Sequence, residues 1–319
     1  MSTTTSEDVA RLAGVSRGAV SQILNGRGQR FASETRDRVR RAAAELGYQP
    51  SQAGRTLAKG SSDIVLAVLP NTTFGGNLQD IFQTAAEDLA THGLTLLLHL
   101  ATPTTAPLDR VITGMKPRAV VSLTPFTEEE LTLLSERGVK SFDPVTTGSG
   151  PEADAGIGRL QARHLIDRGY KKLAFAHLRD SRQDPFGMDR EDGVRQVCRE
   201  GGLAEPASLQ LGINSADALR AIKAIDRGTG IACYNDDVAT ALVSAASESG
   251  WRIPADVGII GMDNTPLSAV TYPPLTTIGY DVKAAAHNLI TMTLVGIGEP
   301  VDERPILEPA FSLIQRGTT

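Results

Sequence analysis

Residues 8–26 read DVARLAGVSRGAVSQILNG, and this stretch decides the architecture of the first fifty residues. Val9, Leu12 and Ala13 repeat at helical spacing, Gly14 and Val15 form a corner, and Ser16 stands where an N-cap accepts a bond from the next turn. The helix that follows buries Ala19, Val20, Ile23 and Leu24, which leaves Arg17, Gly18, Ser21, Gln22 and Asn25 on an open polar face. Small polar and cationic residues at a helix N-terminus after a glycine turn are what a helix-turn-helix lays into a major groove. A helical hairpin with a solvated face gives the same local pattern. A third helix starts near Ser33 and runs to about Leu46, with Val39, Ala42, Ala43 and Leu46 inward, and Gly47 ends it.

Charge separates the two readings. Residues 1–60 carry ten bases against five acids, a net of +5; the whole chain is at −5, so residues 61–319 carry −10. A basic head on an acidic body is the footprint of a protein that meets phosphate with one end only. The acidic body excludes a protein that coats nucleic acid over its whole surface.

A chain of 319 residues with 41% hydrophobic content fills two or three cores. No apolar run approaches the length of about 18 residues that spans a membrane, and no basic segment followed by an apolar core opens the chain. A cytoplasmic protein with no membrane partner is expected. Cys198 and Cys233 lack CxxC or Cys/His spacing and read as small core residues in a reducing compartment. No metal or cofactor is expected.

Beyond a segment that is neither strongly apolar nor periodic (51–63, SQAGRTLAKGSSD), strands and helices alternate. That segment reads as a plain linker or as a helix that forms only with a partner. Continuous apolar runs at 64–69, 94–100, 119–123, 173–176, 231–234 and 257–261 read as parallel strands covered on both faces. Leu78, Phe82, Ala85 and Leu89 form one helical stripe, and Val238, Leu242, Ala245 and Ala246 another. Such alternation builds doubly wound sheets whose ligands bind beyond the strand C-termini, and the length suits two of them.

In this order the motifs resemble those of the LacI/GalR (lactose-repressor/galactose-repressor) family of bacterial transcription regulators. The resemblance rests on DVA, AGVS, VS and LNG in the head, TRDRVRRAAAELGYQP (35–50) and RTL (55–57). It continues through HLIDRGYKKLAF (164–175), Arg190 with Gly193, CYNDDVATAL (233–242), PADVGIIGMDN (254–264) and PPLTTI (273–278). It implies an all-α helix-turn-helix head over 1–50, a hinge over 51–61, and a two-lobed regulatory domain over 62–319 of the type I periplasmic-binding-protein kind, with parallel doubly wound sheets. The lobes are expected at about 62–155 plus 283–309 and about 156–281 plus 310–319.

The resemblance further implies a homodimer on double-stranded operator DNA and a small-molecule effector, sugar-like, between the lobes. It places Arg17, Gly18 and Gln22 at base-reading positions and Thr5, Ser16, Ser21 and Asn25 at backbone contacts. It also places Arg55 in the hinge and Leu57 as the hinge wedge between base pairs. Arg pairs with guanine and Gln with adenine through two bonds each, so both side chains suit that work. Arg190, Asn235 and Asp263 match effector-contacting positions, a donor and acceptor set suited to hydroxyls. The first lobe departs from the family pattern: PNTTFGGN (70–77) replaces the usual Asn-Pro-Phe-Phe, leaving Phe74 as the expected aromatic wall. Asp154 stands one position off the usual crossover aspartate and is set aside; Asp236 is expected to cap its helix, and Phe186 and Tyr234 to pack in the core.

Other classes fit less well. The GxG at Gly156 and Gly158 follows no strand and lacks a third glycine, GxSxG, P-loop and HExxH motifs are missing, and the histidines are scattered, so no catalytic residue is assigned. A solute-binding protein explains the two lobes but not the basic head. Repression is the expected role, with activation compatible with the same residues, and a purine-like effector stays open beside a sugar.

Overall fold

The turn at Gly14 sets the geometry of the head. Its backbone is left-handed (φ +65), a conformation that strains any residue with a Cβ, and it lets the Val15 N–H reach the Ala10 carbonyl at 3.1 Å. The structure, a computed structural model, describes residues 4–26, 28–49, 56, 60–143, 151–182, 184–300, 305–307 and 310–319. Helices α1 (Ser6–Ala13), α2 (Arg17–Leu24) and α3 (Ser33–Glu45) form the head. Thr5 and Asp8 make a reciprocal capping box on α1, and Ser16 caps α2 by accepting the Ala19 N–H at 3.2 Å. Val9, Val20 and Val39, one from each helix, are fully buried at the centre. Leu12 differs from expectation: it is 49% exposed, because Val9, Ala10 and Ala13 form the inward stripe and position 12 falls on the opposite side of the helix.

The chain divides into two compact units, residues 1–64 with 111–118, and 65–110 with 119–319. Elements of the remaining chain run β1 (Ile64–Leu69), α4 (Gly76–Thr91), β2 (Thr95–Leu100), α5 (Ala106–Met115), β3 (Ala119–Ser122), α6 (Glu128–Glu136), β4 (Lys140–Phe142) and α7 (Pro151–Asp167). Then follow β5 (Lys172–Leu178), α8 (Gly187–Glu200), β6 (Ala207–Leu211), α9 (Ser215–Lys223), β7 (Thr229–Cys233), α10 (Asp236–Glu248) and β8 (Val257–Ile260). A 3-10 turn (Pro266–Ala269), β9 (Thr277–Tyr280), α11 (Val282–Ile297) and β10 (Phe311–Ile314) complete it.

Two four-stranded sheets share one topology. Their orders are β2-β1-β3-β4 and β6-β5-β7-β8, with parallel registers such as Val65↔Ala119 and Leu173↔Gly230. Each centres a lobe with its own core: Val65, Phe82 and Val121 with Leu289 and Leu294 of α11 in the first, and Phe175, Ile231, Leu242 and Ile259 in the second. The antiparallel pair β9–β10 aligns Phe311 with Tyr280. Helix α7 runs unbroken from Pro151 to Asp167 across position 155/156.

Interior strands β1, β3 and β7, and β8 at the end of its sheet, are buried nearly throughout, as their apolar runs imply. Strand β2 is the correction: it lies at a sheet edge and is half exposed despite TLLLHL. β4, β6 and β9 are absent from the expected strands; β4 and β6 are edge strands, whose solvent-facing positions break up the continuous apolar run. Cys198 and Cys233 are free and buried in the second lobe. Among the described residues no helix is long and apolar enough to cross a membrane.

Candidate functional site

On α2 the first residue, Arg17, is exposed and makes no hydrogen bond or ion pair with another described residue. Gly18 and Ser21 are exposed beside it and Gln22 is half-buried. A Cβ on Gly18 would meet only the Ser16 hydroxyl, at 3.8 Å, so the backbone here is open to an approaching partner. Thr5 and Ser16 spend their hydroxyls on the caps, and Asn25 donates from Nδ2 to Ser21 Oγ at 3.3 Å. Behind this face, Arg38 Nε donates to the Ala13 carbonyl at 3.4 Å, tying α3 to the end of α1. The face is therefore polar, cationic and held on a rigid three-helix frame. Arg55 and Leu57 lie outside the described residues.

The second site is a cavity of about 240 Å³ at the C-terminal ends of the strands, between the two lobes. Asn235 follows β7 and Asp263 follows β8, while Arg190 enters from the first turn of α8. The sheet thus delivers all three to one place, and ligands of open parallel sheets bind at such strand ends. Asn235 is the N-cap of α10: its Oδ1 accepts the Val238 N–H at 3.0 Å, and its Nδ2 donates to Thr73 Oγ1 of the first lobe. Asp263 holds a left-handed backbone (φ +109), unusual for a residue with a side chain, which turns its carboxyl inward.

Arg190 is buried and doubly anchored. Its Nε donates to Asp154 Oδ1 at 2.9 Å and its NH1 to the Tyr234 carbonyl at 2.7 Å, while the Phe186 and Tyr234 rings lie 5.3 and 5.2 Å from the guanidinium. Burial works against the guanidinium's charge, but Asp154 and Asp263 outweigh it and the net shift of Arg190 is upward. Burial likewise raises Asp154, with Arg190 opposing, and pushes Asp263 up to about 7 against the pull of the same arginine. Asp189 also lines the cavity and is raised by burial and by Asp154.

Glycines make this pairing feasible. A Cβ on Gly158 would fall into the backbone carbonyl of Arg190, and one on Gly193 into that of Ala155, so α7 and α8 cross in backbone contact. Gly158, the second glycine of the GxG, is therefore the packing residue that lets α7 carry Asp154 up to Arg190. Spacing alone gave no sign of this, since the partner glycine lies on another helix.

Several expectations change. Phe74 is no wall of the cavity: it is 49% exposed and stacks on Phe82 of its own lobe at 6.4 Å. Gly75 and Gly76, which follow it, let the chain enter α4 with the ring turned outward. Phe186 and Tyr234 pack as expected, Tyr234 within the second lobe's core and Phe186 against it, and both rings also line the cavity around Arg190. Asp236 does not cap its helix, since Asn235 does. It is buried under the 263–265 turn, accepting from the Thr265 N–H at 2.7 Å and the Thr277 hydroxyl at 2.6 Å. Asp154, Asn77, Thr72 and Thr73 reach the cavity without having been singled out for it. For the last three the signal was present, in a polar loop that directly follows the first strand.

A helix-turn-helix head coupled in one chain to a two-lobed body of the periplasmic-binding-protein kind defines a class of DNA-binding transcription regulator. The sequence model of "Bacterial regulatory proteins, lacI family" matches residues 5–51, and that of the periplasmic binding protein-like domain matches 162–319. A repressor of Vibrio atlanticus named PurR is 28% identical over 98% of each chain. The lac repressor dimer bound to operator and an anti-inducer aligns over 99% of each chain at 20% identity, with a TM-score of 0.77. A regulator CelR in complex with cellobiose aligns at 22% identity over 99% of this chain and 100% of that one, with a TM-score of 0.67. The chain belongs to the LacI/GalR family of DNA-binding transcription regulators.

Proposed function

We propose that the chain is a repressor that binds a two-fold-related operator as a homodimer, and that a small, uncharged, hydroxyl-rich effector of the sugar class binds the cleft and controls operator affinity. The convergence of Arg190, Asn235 and Asp263 on one cavity carries this reading. Among the described lining residues, Asp154, Asp189 and Asp263 surround the guanidinium of Arg190, an acceptor-rich set that suits hydroxyl donors. The cavity is slightly smaller than ordinary ligand pockets of roughly 300 Å³ and above, the scale of one ring. An effector bound by both lobes alters DNA affinity by favouring one lobe arrangement over another.

On the head, Arg17 takes a guanine edge and Gln22 an adenine edge. Gly18 lets the backbone approach, and Thr5, Ser16, Ser21 and Asn25 meet the phosphate backbone. Arg55 and Leu57 act from the hinge segment 51–61, Leu57 as a wedge that unstacks a base step. The homodimer is supported by exposed apolar side chains in one short stretch, Leu267, Val270 and Tyr272, the last 93% exposed. A purine-like ligand is the second reading, favoured by the aromatic pair Phe186 and Tyr234 and by the PurR-named relatives.

A thermal-shift screen of the full chain against neutral sugars, polyols, sugar phosphates and nucleobases tests the effector, and selection from random duplexes tests the operator. Stabilisation by a neutral sugar and recovery of two-fold-related half-sites are the expected results. Stabilisation by nucleobases or phosphates alone overturns the effector class, and single half-sites overturn the dimeric operator.

A further inference from the structure

The loop where this chain departs from its family, residues 70–77, sends four side chains across the cleft. Asn71 Nδ2 donates to the Ser181 carbonyl at 2.9 Å, and the Thr72 and Tyr234 hydroxyls share a bond of 3.0 Å. Asn235 Nδ2 donates to Thr73 Oγ1 at 2.8 Å, and Asn77 Nδ2 donates to the Asp263 carbonyl at 2.8 Å. The partners stand on three separate segments of the second lobe, beyond β5, β7 and β8, so the loop spans the whole mouth of the cavity. Phe74, stacked on Phe82, fixes the middle of the loop to the first lobe.

The bonds use the groups assigned to the effector. Asn235 has one side-chain end on its own helix and the other on Thr73. Asn77 holds the backbone of Asp263, with Nδ2 3.5 Å from the carboxyl. We propose that Asn71, Thr72, Thr73 and Asn77 form an inter-lobe latch that holds the cleft closed before an effector arrives and that an effector must replace, so that these four residues set its threshold and selectivity.

The selectivity follows from what each exchange leaves behind. A ligand rich in hydroxyls gives Thr73, Asn77 and Asn235 a new partner for each one lost. A flat or apolar ligand displaces the same bonds and leaves buried polar groups unpaired, which is costly. Because each of the four bonds joins neutral groups, breaking one strands no buried charge, and the latch is reversible. The selectivity clause rests on the effector reading above; the latch itself does not.

The test uses the full chain without ligand. Fluorophores carried on non-natural amino acids at Ala90 in α4 and at Ala224 after α9, both exposed, report lobe separation by single-molecule energy transfer. The unsubstituted chain is expected to give one narrow high-transfer population. The Thr73→Val/Asn77→Ala double variant is expected to raise the ratio of open to closed molecules about tenfold, and Tyr234→Phe, which deletes one hydroxyl, about threefold. Circular dichroism checks folding; if the double variant unfolds, Tyr234→Phe and Asn71→Ala decide, in the same direction. Distributions that superimpose on the unsubstituted chain, or an unsubstituted chain that is already open, overturn the latch. No ligand is added, so failure of the sugar reading appears only in the thermal-shift screen and failure of the latch only here.

Discussion

Arg17 and Arg190 both stand in the first turn of a helix and both serve a recognition surface, yet their surroundings are opposite. Arg17 is exposed on α2 with no described partner, while Arg190 is buried on α8 with a carboxylate, a carbonyl and two rings around it. The surface of α2 is a set of unspent donors held on a rigid frame. The cleft is a closed account in which polar groups are matched by the chain itself. Recognition on α2 adds bonds, whereas recognition in the cleft exchanges them. Truncating the exposed polar side chains of α2 should therefore change affinity without changing stability, and substitutions in the cleft should change both.

The largest expected effect is that of Arg190→Ala. It strands Asp154 beside a buried backbone carbonyl, and breaking a buried pair from one side costs about 3–5 kcal/mol. A urea midpoint shifted by less than a third of that amount would place Arg190 among ordinary surface arginines. Arg17→Ala comes next, with operator affinity falling by about 1–3 kcal/mol at its cognate base and preference there relaxed. Its thermal midpoint should stay within the roughly 0.5 kcal/mol typical of surface changes. Anisotropy with the selected operator and its base-substituted variants measures the first, calorimetry the second; equal loss on all sequences would make Arg17 a phosphate contact.

Asp263 gives a smaller, pH-dependent contrast. Its carboxyl is pushed up to about 7 by burial and so keeps its proton in the folded chain at pH values where the unfolded chain has released it. Between the ordinary carboxylate value and about 7 the folded state binds more protons, so this group's contribution to stability falls as pH rises through that window. Asp263→Asn should flatten that decline in urea midpoints measured from pH 5 to pH 8; an unchanged slope would show that another group is responsible. The smallest effect is that of Gly18→Ala. The added Cβ meets open space apart from Ser16 Oγ, and alanine favours a helix over glycine by up to about 1 kcal/mol. The head should gain a fraction of this in thermal stability, while binding shifts only if the backbone at Gly18 approaches the DNA closely.

Legibility followed the kind of physics involved. The head was readable almost residue by residue, because capping and core spacing are local: Gly14, Ser16 and Gly47 mark boundaries that the structure shows, while the capping role of Thr5 went unread. Strands with an unbroken apolar run were readable, β8 at a sheet end included, and edge strands β4 and β6 were not, because solvent-facing positions interrupt the run. In the cleft, Arg190, Asn235 and Asp263 were singled out by resemblance and converge on one cavity, whereas Asp154 was set aside on a one-residue offset along the chain. That offset carries no weight once Gly158 and Gly193 let α7 and α8 touch. Phe74 was chosen for being aromatic, while the polar residues flanking it reach the cavity. Which side of a glycine-bounded loop faces inward depends on partners more than a hundred residues away.

Both thiols of the chain are buried in the second lobe, Cys198 on α8 and Cys233 at the end of β7, and burial raises both above the ordinary thiol value. Only the thiolate attacks a disulfide reagent, so a native Cys233 is silent until its strand comes apart. The head and the first lobe contain no cysteine at all. The colour released by an aromatic disulfide is therefore a stopwatch for the opening of a single lobe. It runs in unlabelled protein and is blind to fraying anywhere else along the chain.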